Sequence, residues 1–118
     1  MKVKVADVAD LGEGESKAFR IVKNGRFIGG FVVCFQDNYY GYENKCRHIP
    51  ISLDYGDEQF FDEQRRFLVC QTHGAVYEPK TGLCTDGPCR GASLYEIPLT
   101  VEKGAIFAES EEIPAQQD

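Results

Sequence analysis

"ENKCRHIP" at residues 43–50 and "CQTHGAVY" at residues 70–77 decide the reading of this chain. The first stretch carries Cys46-Arg47-His48, a cysteine and a histidine with one spacer. The second carries Cys70-Gln71-Thr72-His73, with two. The chain has 2 histidines, and both fall in these pairs. Pro50 lies just beyond the first pair and Gly74 directly after the second. Such turn formers let the backbone bend sharply enough for a thiolate and an imidazole to face one centre. Both stretches follow strand-like runs, so strands could present the two loops together at one end of a sheet.

Working outward, the chain reads as many short strands. "FRIVKNGRFIGG" holds two apolar runs split by Asn24-Gly25, a strong hairpin-turn dipeptide. "FVVCFQ" (31–36) is β-branched and aromatic, and Asp37-Asn38 then leads into "YYGYEN" as a second hairpin. "RFLVC" (66–70) reads as a strand ending at a cysteine, and "GAVYEPKTG" as a strand and turn. "SLYEIPLTVEKGAIFAE" alternates around a turn at Lys103-Gly104, so Tyr95, Ile97, Leu99 and Val101 are expected to share one face. Pro98 inside it predicts an edge strand or a bulge. "SLDYGDEQFFDEQRR" (52–66) reads as a helical turn or an irregular loop. The expectation is one all-β domain over residues 1–109, interrupted by a Cys/His-bearing region at about 44–90. Residues 110–118 read as a polar, disordered tail.

The totals narrow the function. At 118 residues the chain suits one domain. Its net charge of −6 argues against nucleic acid, whose phosphates want Lys and Arg, and permits docking on a basic protein surface. No signal-peptide h-region or apolar run of membrane-spanning length is visible, so the expectation is a cytoplasmic protein without membrane contact. The 5 cysteines are an odd number, so they cannot all pair as disulfides. In a reducing compartment, cysteines near histidines read first as a metal site.

Two metal chemistries fit two Cys and two His. One is a tetrahedral zinc site. Zinc fingers usually keep their cysteines together and their histidines together, whereas here each loop carries one of each. The other is a cluster of two irons and two sulfides, with both thiolates on one iron and both imidazoles on the other.

Cys46-x-His48, then Cys70-x-x-His73-Gly74, with Gly87-Pro88 following, resembles the Rieske 2Fe–2S family, and the likeness runs along nearly the whole chain. The resemblance implies a Rieske-type fold, an antiparallel β-sandwich base with a small cluster-binding subdomain. It implies one 2Fe–2S cluster, with Cys46 and Cys70 on the inner iron and His48 and His73 on the outer one. It further implies that Gly74, Tyr77 and Pro88 surround that cluster, with Tyr77 able to donate to a ligand cysteine. Leu53 reads equally as cover or core.

The high-potential members of the family are membrane-anchored. They carry an extra cysteine in each loop, where this chain has Ile51 and Thr72, and a serine where it has Ala75. Fewer donors to the sulfurs predict a potential of roughly −150 to 0 mV. The large oxygenases of the family need a further iron site, for which this chain has no third histidine. The resemblance therefore implies a non-enzymatic, ferredoxin-like carrier passing single electrons from a reductase to an oxygenase-type acceptor. The alternatives are the small subunit of an assimilatory nitrite reductase, or a zinc-binding interaction module. Cys84 and Cys89 read as thiols in a reducing cytosol, although they could close a small disulfide. Cys34 reads as a packed apolar residue. Tyr39, Tyr40 and Tyr42 read as strand and hairpin surface. Asp57-Glu58 and Asp62-Glu63 read as a solvated face.

Overall fold

The computed structural model describes residues 1–111. Among these described residues nine strands follow in chain order: β1 (Lys2–Asp7), β2 (Ser16–Lys23), β3 (Arg26–Phe35), β4 (Asn38–Glu43), β5 (Leu68–Val69), β6 (Val76–Tyr77), β7 (Cys84–Asp86), β8 (Leu99–Glu102) and β9 (Ala105–Glu109). One 3-10 turn, Val8–Asp10, follows β1. The strands form three antiparallel sheets in the orders β1-β9-β8, β2-β3-β4 and β5-β6-β7. All-β architecture is therefore as the sequence implies.

The central strand β3 explains how the sheets pack. Its residues alternate between two cores, as a two-residue side-chain period requires. Phe31 and Val33 enter a core with Tyr42, Leu53, Phe60, Leu68, Tyr77 and Cys84. Val32 and Cys34 enter the other, with Val5, Ile21, Ile97 and Ile106. Both faces of β3 are thus covered, which is why "FVVCF" reads as a continuous apolar run. Each fully buried Val or Phe side chain here contributes on the order of 1.5–3 kcal/mol.

The hairpin at Asn24-Gly25 forms as expected, with positive φ at both residues (54° and 74°). The second hairpin turns at Gln36-Asp37, with φ of 51° and 65°, and Asn38 already begins β4. That is one residue earlier than the sequence suggests. Residues 52–66 form an irregular loop rather than a helical turn. Phe60 anchors this loop by stacking on Phe31 at 4.1 Å between centroids, 5° from parallel.

Three expectations need correction. Tyr95, Ile97, Leu99 and Val101 do not share one face, because β8 starts only after Pro98. Tyr95 and Val101 are exposed and Ile97 is buried. Residues 95–97 instead bond to β4, through Glu43 N–H to Tyr95 O and Ile97 N–H to Gly41 O. Gly41 permits that approach, since a Cβ there would lie 2.6 Å from Ile97 O. Tyr42 is buried rather than superficial and donates to Pro79 O at 2.6 Å. Order also continues past β9. Ser110 Oγ accepts from Val22 N–H, and the Glu111 carboxylate accepts from Asn24 and Gly25 N–H. The remainder of the expected tail, residues 112–118, lies outside the described residues.

Candidate metal centre

The two Cys/His loops are built alike. Cys46 N–H donates to Ile51 O, and Cys70 N–H donates to Ala75 O, each at 2.8 Å. Each cysteine thus closes its own loop through the carbonyl five residues on. The second loop is tightened by Gly74 N–H to Cys70 O at 2.8 Å, and Gly74 takes a φ of 73° that a larger residue rarely adopts. The loops are tied together by Gln71 N–H to Leu53 O at 2.8 Å. Tyr55 Oη adds a bond to Gln71 O at 2.7 Å.

Burial separates the four side chains into two pairs. Cys46 and Cys70 are 2% and 0% exposed, at the base of the loops. His48 and His73 are exposed at the surface. Their rings lie edge to face, 4.9 Å between centroids and 90° apart. The sequence-predicted residues are therefore gathered as two buried sulfurs and two surface imidazoles. Among the described residues, no three His, Cys, Asp or Glu side chains converge closely enough to hold one metal ion.

The sulfurs face donors that favour thiolate. Burial pushes the Cys46 thiol up, but the Tyr77 hydroxyl and the His48 and Ile49 N–H groups outweigh it and leave it lowered. Cys70 receives N–H groups from His73 and Thr72, yet burial prevails and leaves it raised. Tyr77 Oη lies 3.4 Å from Cys46 Sγ and 3.1 Å from Cys89 Sγ, and accepts from Arg47 N–H at 3.0 Å. Burial, with Cys46 and Cys89 as acceptors, pushes the Tyr77 hydroxyl upward, so it stays protonated as a donor.

Pro88 is exposed. Its neighbour Gly87 makes the close approach to the second loop, where a Cβ would meet Ala75 Cα at 2.8 Å. Leu53 belongs to the core.

Other supporting residues carry no motif signal. Asn44 Oδ1 accepts from Leu53 N–H, and its amide donates to Asp54 Oδ1. The buried Asp54 also accepts from Glu58 N–H, so this pair braces the first loop. The Arg47 guanidinium donates to Ser93 O at 2.6 Å and lies 4.5 Å over the Tyr95 ring. The acidic pairs are not merely solvated. Glu58 accepts from Ala18 N–H, and Asp62 from Arg66 N–H.

A family model described as the Rieske [2Fe-2S] domain matches residues 1–105. The chain belongs to this family. A Rieske domain holds one 2Fe–2S cluster and carries electrons without itself transforming a substrate. Two buried thiols with backbone donors, opposite two surface imidazoles, fit such a cluster. The ferredoxin of carbazole 1,9a-dioxygenase from Nocardioides aromaticivorans IC177 is a similar solved structure. It is 25% identical, with a TM-score of 0.72 over 94% of this chain and 99% of that one. A second similar chain, from a complex of reduced oxygenase and oxidized ferredoxin in carbazole 1,9a-dioxygenase, is 22% identical. Its TM-score is 0.70, over 91% of this chain and 100% of that one. The terminal oxygenase of carbazole 1,9a-dioxygenase from Novosphingobium sp. KA1 shares the fold at 18% identity and a TM-score of 0.71. There 98% of this Rieske chain matches 31% of the oxygenase chain. Comparison with curated proteins finds no match. Among the described residues, no helix is long and apolar enough to cross a membrane.

Proposed function

We propose that Cys46 and Cys70 hold one iron of the cluster and that His48 and His73 hold the other. Gly74 shapes the second loop, Tyr77 donates to Cys46, and Pro88 sits beside the glycine that covers that loop. One observation carries this reading: the same two loops hold two buried, neighbouring cysteine sulfurs and two exposed, mutually perpendicular imidazoles. The domain spans residues 1–109 and is extended by Ser110 and Glu111, which bond to Val22, Asn24 and Gly25, with about 44–90 as its cluster-binding part.

When bound, the cluster accepts and releases one electron. The protein's own residues do the rest. Neutral imidazoles in place of thiolates lower the negative charge at the site and raise its potential above that of all-cysteine clusters. The backbone N–H groups and Tyr77 stabilise negative charge on the sulfurs. Ala75 offers no side-chain hydroxyl, which supports a potential of roughly −150 to 0 mV. The imidazole edge reaches the surface and gives the electron a short exit to a docked protein.

The chain is a ferredoxin-type carrier, working in the cytoplasm between a reductase and a terminal oxygenase-type acceptor. Support for that acceptor is the similar ferredoxin of a dioxygenase system. The test is stopped-flow oxidation of the reduced protein by a Rieske-type oxygenase, alongside metal analysis of Cys46→Ala, His48→Ala, Cys70→Ala and His73→Ala. The reading expects electron transfer on mixing and loss of the cluster in all four variants. An unchanged cluster in any of them would remove that residue from the ligand set.

A further inference from the structure

Cys84 and Cys89 stand outside the proposed ligand set, yet they face each other beside it. Their sulfurs are 3.2 Å apart, and neither is bonded to another cysteine. Cys84 lies at the start of β7 and is buried, whereas Cys89 is partly exposed. The loop between them is pinned by Gly91 N–H to Cys84 O and Ala92 N–H to Cys89 O, each at 2.9 Å. Gly87 gives it the left-handed bend, at a φ of 99°. The backbone thus already holds the two sulfurs together, and a bond at about 2.05 Å needs a closure of little more than an ångström.

The hydrogen bonds give this pair a link to the cluster site. Cys84 S–H donates to Asp86 O, and Cys89 S–H donates to the Cys84 sulfur. Neither thiol proton is then left for Tyr77. The single Tyr77 proton must serve Cys89 Sγ at 3.1 Å and Cys46 Sγ at 3.4 Å. Cys89 therefore competes with Cys46 for one donor.

We propose that Cys84 and Cys89 form a reversible dithiol–disulfide site whose oxidation releases the Tyr77 hydroxyl to Cys46 and raises the potential of the cluster. The second half rests on the reading of Cys46 as a ligand; the first does not. The oxidant is a low-molecular-weight disulfide. The partly exposed Cys89, as thiolate, attacks one sulfur of that disulfide, forming a mixed disulfide and expelling one thiolate. Cys84 then attacks the Cys89 sulfur and expels the second. Two protein thiols are oxidised, one small disulfide is reduced to two thiols, and both protein protons end on the released thiols. Cys84 needs no solvent access, because its target is the sulfur already beside it. Burial and the neighbouring Cys89 push the Cys84 thiol up to about 11, so Cys89 is the entry point. Closure draws Cys89 Sγ toward Cys84 and away from Tyr77. A disulfide sulfur is also a poorer acceptor than the liganding thiolate, so the Tyr77 proton settles on Cys46.

The test equilibrates the holoprotein with mixtures of reduced and oxidised glutathione, then blocks free thiols and maps them by mass spectrometry. Each mixture is paired with a mediated redox titration of the cluster. The expected result is a two-electron transition confined to residues 84 and 89, with an upward shift of the cluster midpoint in the disulfide form. Cys84→Ser should stop at a glutathione adduct on Cys89, and Cys89→Ser should form no bond. Cys89→Ala should raise the midpoint without any oxidant, and Tyr77→Phe should abolish the oxidation-dependent shift. No 84–89 disulfide at any ratio, or oxidation at Cys34 first, would overturn the site. A disulfide with an unchanged midpoint would overturn the coupling through Tyr77. If the ligand reading fails, no histidine-ligated cluster is present to titrate, while thiol mapping still decides the disulfide.

Discussion

Replacing Tyr77 with Phe removes one oxygen and keeps the buried ring, so its consequences can be worked from three contacts. The hydroxyl accepts from Arg47 N–H at 3.0 Å and sits 3.4 Å from Cys46 Sγ and 3.1 Å from Cys89 Sγ. Losing the acceptor leaves the Arg47 N–H short of a partner, which costs about 1–3 kcal/mol of stability. The effect on potential comes from Cys46. Reduction adds negative charge to the cluster, so a donor to its sulfur binds the reduced form more strongly than the oxidised form. Hydrogen bonds to charged and to neutral groups differ by about 1 kcal/mol. At about 1.4 kcal/mol and about 59 mV per tenfold for one electron, that difference lowers the midpoint by about 40 mV. Mediated potentiometry with the cluster signal as readout measures it, and urea unfolding measures the stability term. An intact cluster whose midpoint is unchanged or raised in Tyr77→Phe would refute the assignment of this hydroxyl to the ligand sulfur.

Gly87→Ala places a Cβ 2.8 Å from Ala75 Cα at a residue with φ of 99°. It should lose at least about 1–3 kcal/mol from backbone strain alone and lower iron retention, as read by thermal melting and iron content. Phe60→Ala removes the ring stacked on Phe31 and should cost about 3–5 kcal/mol in urea unfolding, loosening the 52–66 loop. The Asn24 and Gly25 N–H groups hold the Glu111 carboxyl below its usual 4.5. Its folded value is the lower one, so its contribution is present above about pH 4.5 and lost as pH falls through the folded value. Glu111→Gln should therefore flatten that part of the acid unfolding curve. An unchanged curve would mean the carboxylate does not cap this turn in solution.

The two Cys/His loops were legible as a pair of like motifs because residue type and spacing alone carry them. Asn24-Gly25 was legible for a similar reason, since its φ values follow from local chemistry. What the sequence hid depends on contacts between distant segments. Tyr42 looks like one tyrosine of a surface hairpin, and only the fold brings Pro79 O to its hydroxyl. The alternation from Tyr95 to Val101 fails because residues 95–97 pair with β4 while β8 pairs with β9. Two registers share one apparently continuous pattern. Asn44 and Asp54 are ten residues apart and become a brace only when the first loop closes over them. Tyr77 was visible through the resemblance, but its contact with Cys89 was not, because that contact needs the 84–92 loop to fold back on β6.

The most direct test of the central claim is electron paramagnetic resonance of the purified protein before and after dithionite reduction, with iron and sulfide quantified on the same sample. The oxidised form should be silent. On reduction it should gain the low-average-g signal of a histidine-ligated cluster, at two irons and two sulfides per chain. Silence in both states, with zinc bound and no iron or sulfide, would contradict it. Cys46, His48, Cys70 and His73 would then be a structural clamp rather than an electron-transfer centre.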